Sequence, residues 1–307
     1  MLIFQPQIVA AGLDTVLTNT GGMQTTGVDL SIGGRIINNR SLKWDLGITL
    51  TKYKNKITQL PSDPLYTPFA GAMYITTTGK VANLFYGYKT NGVYSSDADA
   101  VKDGLSKQMP NGTIVPFAGG DVRFVDMNGD KIIDDKDRQV IGDPNPDFAG
   151  SIVNKLTWKR FTLHLLFTFS KGNDIYNYTR RQLESESGPA NQLQSMLNRW
   201  RANGQVTSVP KAIWGDTMGN SSFSDRWIED GSYLRLRHAA ISFDVPMKPG
   251  FIKYAVVYVS GNNLATFTKY KGYDPEFSAT GSIFGQGVDL PVEPLYKSAE
   301  IGLRIGL

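Results

Sequence analysis

Acidic side chains crowd one twelve-residue stretch of the chain, and their spacing matches a loop that wraps a hard cation. Oxygen-bearing side chains occupy positions 1, 3, 5, 9 and 12 of the stretch, and these are Asp126, Asn128, Asp130, Asp134 and Asp137. Position 7 is Ile132, whose backbone carbonyl would supply a sixth oxygen. Carboxylate and carbonyl oxygens at these positions are the ligands that Ca²⁺ prefers. The stretch therefore predicts a calcium site with a structural rather than a catalytic role.

Two positions depart from the usual calcium loop. Position 6, normally glycine because the backbone turns sharply there, is Lys131, and position 12 is Asp137 rather than glutamate. A non-glycine residue at positive φ costs on the order of 1 kcal/mol, and the ammonium group would oppose a cation. The alternative interpretation is a solvated acidic turn, in which Asp and Asn side chains accept hydrogen bonds from nearby backbone N–H groups.

No other group of residues predicts catalysis. The two histidines, His164 and His238, lie in predicted strands without a nearby nucleophile motif. Glu229 and Asp230 are neighbours in a loop, whereas glycoside hydrolysis needs two carboxyl groups on either side of a cleft. We therefore predict that the chain is not an enzyme.

Exposed aromatic side chains are the remaining candidates for ligand binding. They could stack on sugar rings or anchor a peptide, but they could equally pack the loop layer or contact a capping protein. The candidates follow residue 171 in one long predicted loop and are Tyr176, Tyr178, Trp214 and Trp227.

Composition excludes several other classes of protein. The 307 residues carry a net charge of +4 and contain no cysteine, so thiol catalysis and thiolate metal sites are excluded. No long Lys/Arg run occurs, so we expect no nucleic-acid partner. Eighteen consecutive apolar residues occur nowhere, and the first residues do not resemble a signal peptide.

Alternation of apolar and polar residues predicts seven amphipathic strands. The predicted strands cover residues 28–36, 42–50, 148–158, 161–169, 233–245, 254–262 and 301–307. In the fifth of them the apolar parity switches between Leu236 and Ile241, which predicts a β-bulge near Ala239–Ala240.

Short and long connections alternate strictly along these strands. The short turns are 38–40, 159–160 and 246–253, and the long loops are 54–147, 171–232 and 264–295. All short turns then fall at one end of the sheet, as in outer-membrane barrels. Within the long loops, Asn191–Ala202 has the apolar spacing of a short amphipathic helix, and Ser96–Asp99 offers a capping box for another.

Aromatic residues near the strand ends predict two belts at the surfaces of a membrane. The first set, beside the short turns, is Trp44, Trp158, Phe161 and Tyr254. The second set, beside the long loops, is Tyr53, Phe148, Phe169, Tyr233 and Tyr296. Seven strands cannot close a barrel wide enough for this loop mass. The sequence therefore predicts an all-β fold, an antiparallel transmembrane β-barrel fragment of about seven or eight strands.

Several motifs then identify a family. They are YGYKTNGVYSS from Tyr86, GDVRFVDMNGDKIIDDKDRQVIGDPNPDF from Gly120, KGNDIYN from Lys171, IEDGSYLRLRHAAISFDVP from Ile228, SGNNLATFTKYKGYDPE from Ser260 and the closing SAEIGLRIGL. In this order they resemble the C-terminal part of SusC/RagA-type TonB-dependent outer-membrane transporters, along nearly the whole of 1–307.

The resemblance implies a 22-stranded barrel in the cell outer membrane, plugged by an N-terminal domain that we expect to lie outside these residues. It also implies that 54–147, with the acidic stretch 126–137, and 171–232 are external loops. Such transporters import oligosaccharides or peptides with energy from TonB, together with a SusD-like surface lipoprotein, and their wall contacts outer-membrane lipid. The alternative is a secreted soluble β-domain that binds calcium and glycan.

Overall fold

The computed structural model describes residues 3–6, 15–248, 250–276, 285–291 and 293–307, which are mostly antiparallel β-structure. In chain order its strands are β1 (Ile3–Pro6), β2 (Thr15–Thr18), β3 (Gly22–Asn38), β4 (Leu42–Gln59), β5 (Leu65–Phe69), β6 (Ala72–Thr76), β7 (Leu84–Gly87), β8 (Thr90–Val93), β9 (Ser106–Gln108), β10 (Ile114–Pro116), β11 (Val122–Phe124), β12 (Ile132–Ile133), β13 (Gln139–Gly142), β14 (Phe148–Trp158), β15 (Phe161–Lys171), β16 (Asp174–Tyr176), β17 (Ile228–Asp230), β18 (Tyr233–Asp244), β19 (Tyr254–Thr268) and β20 (Ser298–Gly306).

Helices are few and short. The α-helices are α1 (Asp97–Asp103) and α2 (Tyr178–Leu183), and single 3₁₀ turns cover Asp135–Asp137, Gln194–Asn198, Trp214–Asp216 and Asp225–Trp227. Among the described residues, no helix has the length and apolar character needed to cross a lipid bilayer.

A seven-stranded antiparallel sheet forms the main body of the described chain, and its strand order is β20-β19-β18-β15-β14-β4-β3. These are the seven strands that alternation predicts, which confirms the predicted fold class. Several boundaries differ from the prediction: β4 continues to Gln59 and β19 to Thr268, while β3 begins at Gly22 and β20 at Ser298.

One face of this sheet is apolar across its width, because the strand register aligns the apolar positions. Directly opposed residues in a sheet share a face. One such row crosses six strands through Ile32, Ile48, Ile152, Phe167, Leu236 and Ala265. Side chains on this face are exposed: Ile32 is 61% and Leu303 61% accessible. The described chain buries them against no second sheet, unlike the dry centre of a sandwich.

The opposite face is polar, one residue along each strand from the apolar row. The corresponding row there is Ser31, Thr49, Ser151, Thr168, Arg235 and Thr266. The hydroxyl oxygens of Thr49 and Ser151 are 2.8 Å apart and form a cross-strand hydrogen bond. Thr49 and Ser151 thus satisfy one another across two strands, and a polar face of this kind suits the wall of a water-filled lumen.

A β-bulge in β18 preserves this separation of faces. Leu166 pairs with His238 and Phe167 with Leu236, so Arg237 is an extra residue without a partner in β15. The bulge confirms the predicted switch of parity, but it lies at Arg237 rather than at Ala239–Ala240. The extra residue returns Ala239 to the apolar face after Leu236.

The apolar face has an aromatic group at each end, although three residues of the predicted belts lie elsewhere. The rings of Phe161 and Phe243 are 4.8 Å apart near the short turns, and those of Phe148 and Phe169 are 6.2 Å apart near the long loops. The prediction was wrong for residues whose parity places them on the polar face, namely Tyr53, Tyr233 and Tyr254. Position near a strand end does not determine which face a side chain occupies.

The two clusters of buried core residues lie outside the seven-stranded sheet, in the folded segments at its long-loop end. One cluster comprises Tyr94, Ala100, Leu105, Phe117, Val122, Phe124, Ile133 and Met218. A second cluster comprises Ala72, Tyr74, Phe85, Tyr176, Phe223, Trp227 and Val288. We call these segments the loop layer. Each cluster joins residues from the segments 54–147 and 171–232, so the two long connections fold together.

Local structure confirms one predicted helix start and corrects the other helix. The Ser96 side chain accepts from the Asp99 N–H at the start of α1. The predicted helix over 191–202 is wrong, because only Gln194–Asn198 is helical there, as a 3₁₀ segment. Trp200 instead joins two other segments: its backbone N–H donates to the Val209 carbonyl and its indole N–H to the Ser95 carbonyl.

Candidate functional site

A cleft of about 600 Å³ lies between the polar face of the sheet and the loop layer. The sheet contributes side chains of its polar face, which are Ala149, Ser170 and Tyr233, together with the bulge residue Arg237. The loop layer contributes Pro144, Asp274, Glu276, Gln286 and Glu293. The cleft thus combines an arginine, three acids and the amides of Gln286 and Asn173, groups that hydrogen-bond polar chains.

The Glu276 carboxylate of this cleft is contacted by three side chains of β18. Tyr233 donates its hydroxyl to Glu276 Oε1 at 2.6 Å, and Arg237 Nη2 donates to the same oxygen at 3.2 Å. Arg235 Nη1 lies 2.7 Å from Glu276 Oε2 and also pairs with Asp274. The Arg235 side chain is 3% exposed, so this group of charges is removed from water. It joins the segment after β19 to the wall strand β18.

The bulge in β18 places Arg237 in the cleft. Tyr233 and Arg235 reach the polar face by ordinary alternation, whereas Arg237 reaches it as the inserted residue. Its guanidinium donates to Asn263 Oδ1 at 3.2 Å and remains 36% exposed. Sequence reasoning missed Arg237, although the parity switch beside it was a usable signal, since bulges re-aim side chains near functional sites.

The acidic stretch forms a loop whose side chains accept hydrogen bonds from their own backbone. Asp126 accepts from Gly129 and Lys131, at 2.7 and 2.9 Å. Asp130 accepts from the Ile132 N–H, and this bond together with one from the Asn128 amide lowers the pKa of Asp130. Asp137 is buried, and its two carboxylate oxygens accept from the N–H groups of Met127 and Asp134.

Lys131 adopts the backbone conformation that the loop spacing requires. Its φ is +66°, the left-handed region in which glycine is normal. Its ammonium group donates to the Asp103 carbonyl at 3.1 Å, at the end of α1. In the part of the chain that the structure describes, no group of three or more His, Asp or Glu side chains is arranged to hold a metal ion. In this structure the acidic side chains of the loop accept hydrogen bonds mainly from the loop's own backbone.

The four predicted ligand-binding aromatics divide between core and surface. Trp227 and Tyr176 are fully buried in the second core cluster, which a ligand does not reach in this arrangement. Tyr178 packs against that cluster, and Trp214 is 75% exposed. Two guanidinium groups, Arg180 and Arg226, lie over the Trp227 ring, and burial lowers the pKa of Arg226 to about 10.

Comparison with known proteins relates the chain to one group of receptors. No family model matches it. It is 33% identical over 291 residues to TonB-dependent receptor P3 of Formosa agariphila, an alignment that covers 90% of this chain and 27% of the receptor. It is 25% identical to TonB-dependent receptor SusC of Bacteroides thetaiotaomicron, over 94% of this chain and 27% of SusC. These relatives are named as receptors and not for a catalytic activity.

Solved structures show the same fold. The chain matches a chain of the RagAB peptide importer in its closed-closed state with a TM-score of 0.74 and 25% identity, covering 99% of this chain and 32% of that one. It matches the open-open state with a TM-score of 0.71 and 23% identity, covering 100% and 31%.

A sheet with one apolar and one polar face, capped at one end by a folded loop layer, defines a section of an outer-membrane β-barrel. The predicted similarity to SusC/RagA-type TonB-dependent receptors is confirmed, and the chain is an outer-membrane sequence. It spans about 27–31% of the length of the curated relatives it matches.

The two tryptophans offer a matched pair for testing the ligand-binding candidates. Trp227→Ala removes a fully buried ring, and we expect it to destabilise the loop layer by about 3–5 kcal/mol. Trp214→Ala removes an exposed ring and should leave stability within about 0.5 kcal/mol. Thermal unfolding of the whole protein that carries this chain measures both. Equal losses from the two variants would contradict the assignment of Trp227 to the core.

The buried Arg235 group gives a second prediction. Arg235→Ala leaves Asp274 and Glu276 without their buried partner, and losing one member of such a pair costs about 3–5 kcal/mol. We expect faster proteolysis of the segment between β19 and β20. Arg237→Ala is the control, because its partly exposed ion pair is worth about 0–1 kcal/mol. Unchanged proteolysis of both variants would show that the ion pairs do not hold this segment.

Proposed function

We propose that this chain is the C-terminal portion of the barrel wall of a TonB-dependent importer of oligosaccharides or peptides. In this proposal residues 54–147 and 171–232 are its external loops. The observation that carries it is the division of the seven-stranded sheet into one apolar and one polar face. A wall of this kind turns hydrocarbon-compatible side chains to lipid and hydrogen-bonding side chains to a water-filled interior.

The cleft supports a polar, oligomeric substrate. Arg237 and Glu293 carry opposite charges in the same lining, and Gln286 adds an amide. Such groups match the amides and termini of a peptide or the hydroxyl groups of a sugar chain. The RagAB relative is named a peptide importer, which agrees with the first of these substrate classes. We propose a binding role for the cleft and no catalytic role for the chain.

The proposed partners follow from the relatives. A SusD-like lipoprotein would contact the loop layer, because that layer covers the end of the sheet where the long connections lie. TonB would contact parts of the whole protein beyond these 307 residues. We propose no nucleic-acid partner, because the sequence contains no long Lys/Arg run.

A matched pair of adjacent leucines tests the orientation of the wall. Leu165 lies on the apolar face halfway along β15, and Leu166 lies beside it on the polar face. We expect Leu165→Arg to block assembly of the whole protein into the outer membrane, because an arginine at the bilayer midplane costs about 2–4 kcal/mol. Leu166→Arg should assemble normally. Membrane fractionation with a heat-modifiability assay measures both.

The opposite pattern would overturn the proposal. If Leu165→Arg and the parent both purified as folded protein without detergent, the alternative of a secreted soluble β-domain would be favoured. Failure of Leu166→Arg alone would reverse the assignment of the two faces.

We also propose that the loop Asp126–Asp137 binds Ca²⁺ and is stiffened by it. Its spacing supports this, as does the turn at Lys131, whose ammonium group is engaged by the Asp103 carbonyl and not by the loop carboxylates. The predicted ligands Asp126, Asn128, Asp130 and Asp134 keep oxygen lone pairs beyond those used by the backbone.

Limited proteolysis of the whole protein tests calcium binding. Saturating Ca²⁺ should slow cleavage between Gly120 and Gly142, and a chelator should restore it. Asp130→Asn should abolish the protection, because it removes a charged ligand. Asp135→Asn is the control, since Asp135 lies in the same loop, is 83% exposed and is not among the predicted ligands. Identical cleavage with Ca²⁺ and with chelator would reject the site.

A further inference from the structure

Three lysines alternate along β4 beyond the apolar part of the sheet. Lys52, Lys54 and Lys56 share the face of Ile48 and Leu50, because side chains two residues apart in a strand point the same way. Their partners in β3 are Val28, Thr26 and Gln24, which carry no charge. All three lysines are exposed.

These lysines begin where the apolar band ends. Thr51 pairs with Ala149, so Lys52 lies level with Phe148 at the start of β14. The Phe148 ring contacts the Phe169 ring at 6.2 Å, and these rings form the aromatic edge of the apolar face. The lysine row therefore starts at the aromatic edge and continues beyond it toward the loop layer.

Two more lysines lie at the same edge on neighbouring strands. Lys171 ends β15 opposite Phe148, and Lys269 follows the end of β19. Both line a shallow depression with the rings of Phe148, Phe169 and Phe267. The acid of this depression, Asp230, lies 3.7 Å from the Lys171 ammonium. Within the described ranges, no acid forms an ion pair with Lys52, Lys54 or Lys56.

We propose that Lys52, Lys54 and Lys56, with Lys171 and Lys269, form a binding surface for the phosphate groups of membrane lipids. The proposal rests on the proposed function in one respect, namely that the apolar face contacts lipid. Lysine stems extend along apolar surface while the ammonium groups reach the polar headgroup region. A row of cations beside an aromatic edge, with no ion-pair partner among the described residues, is complementary to anionic headgroups.

The two faces of β4 differ in their charges, so the lysine row is not a general property of this strand. On the polar face, Lys43 and Lys155 flank Asp45, which also pairs with Arg35 at 2.7 Å. Charges of both signs lie side by side there, as expected beside water. On the apolar face, the described lysines beyond Leu50 have no acid near them in β3 or β14.

Native mass spectrometry of the whole protein in neutral detergent tests the surface. The probe is diphosphoryl lipid A, and monophosphoryl lipid A is the comparison with fewer phosphates. We expect the parent to prefer the diphosphoryl form. The triple variant Lys52→Gln/Lys54→Gln/Lys56→Gln should lose affinity for it by on the order of 100-fold at low salt, since each lysine near a lipid surface contributes about fivefold.

A matched control removes the same charge elsewhere. Lys43→Gln/Lys155→Gln/Lys253→Gln takes three exposed lysines from the polar face and the short-turn end, and it should bind as the parent does. Lys52→Arg/Lys54→Arg/Lys56→Arg should also retain binding, because it keeps the positive charge. If the glutamine triple fails to assemble, Lys54→Gln alone should still lower the affinity about fivefold.

Three results would overturn the proposal. One is equal binding of the two lipids by the parent, and another is undiminished binding by the glutamine variants. The third is displacement of the lipid by inorganic phosphate at the same concentration, which would assign the surface to free phosphate. Normal membrane assembly of the glutamine triple separates these results from the Leu165→Arg test, so failure here would leave the proposed orientation of the wall intact.

Discussion

Backbone pairing under a fixed register is the constraint on which the rest of this structure depends. A lipid bilayer offers no hydrogen-bond partners, so strands within it must pair with one another. Once they pair, a slip of one residue would move every apolar side chain to the wrong face. Six strands align Ile48 and its neighbours in one row. Where β18 breaks the alternation, an inserted residue, Arg237, restores it, and the inserted side chain becomes part of the cleft.

This constraint also explains where the buried core lies. A wall exposed to lipid on one side and to water on the other has no interior of its own, so aromatic packing gathers in the loop layer around Phe85 and Trp227. The loop layer is joined to the wall by charges: Arg235, buried on the polar face of β18, pairs with Asp274 and Glu276 from the segment after β19. Apolar burial thus holds the loops together, and a desolvated ion-pair group fixes them to the sheet.

Local patterns predicted the wall because each strand contains its own alternation of apolar and polar residues. The extension of β19 to Thr268 was missed because the alternation is interrupted before it resumes at Phe267. At the interruption, Asn263 and Leu264 of β19 lie opposite a single residue of β18. Tyr233 and Tyr254 were assigned by closeness to strand ends, whereas parity decides their face. The role of Arg237 depends on Glu276, far away in sequence. Trp214 and Trp227 differ only in tertiary packing, which no local pattern shows.

The acidic loop shows why some chemistry stays ambiguous in a sequence. Asp and Asn are suited both to holding a cation and to closing short turns, since in each case a short arm aims an oxygen back at the loop. Hydrogen bonds from Gly129 and Lys131 orient Asp126, and such bonds fix a side chain without using all its lone pairs. Carboxylates that are already ordered lower the entropic cost of binding an ion, and the repulsion among them favours binding of a cation. The same residues at the same spacing therefore suit both a turn and a cation site.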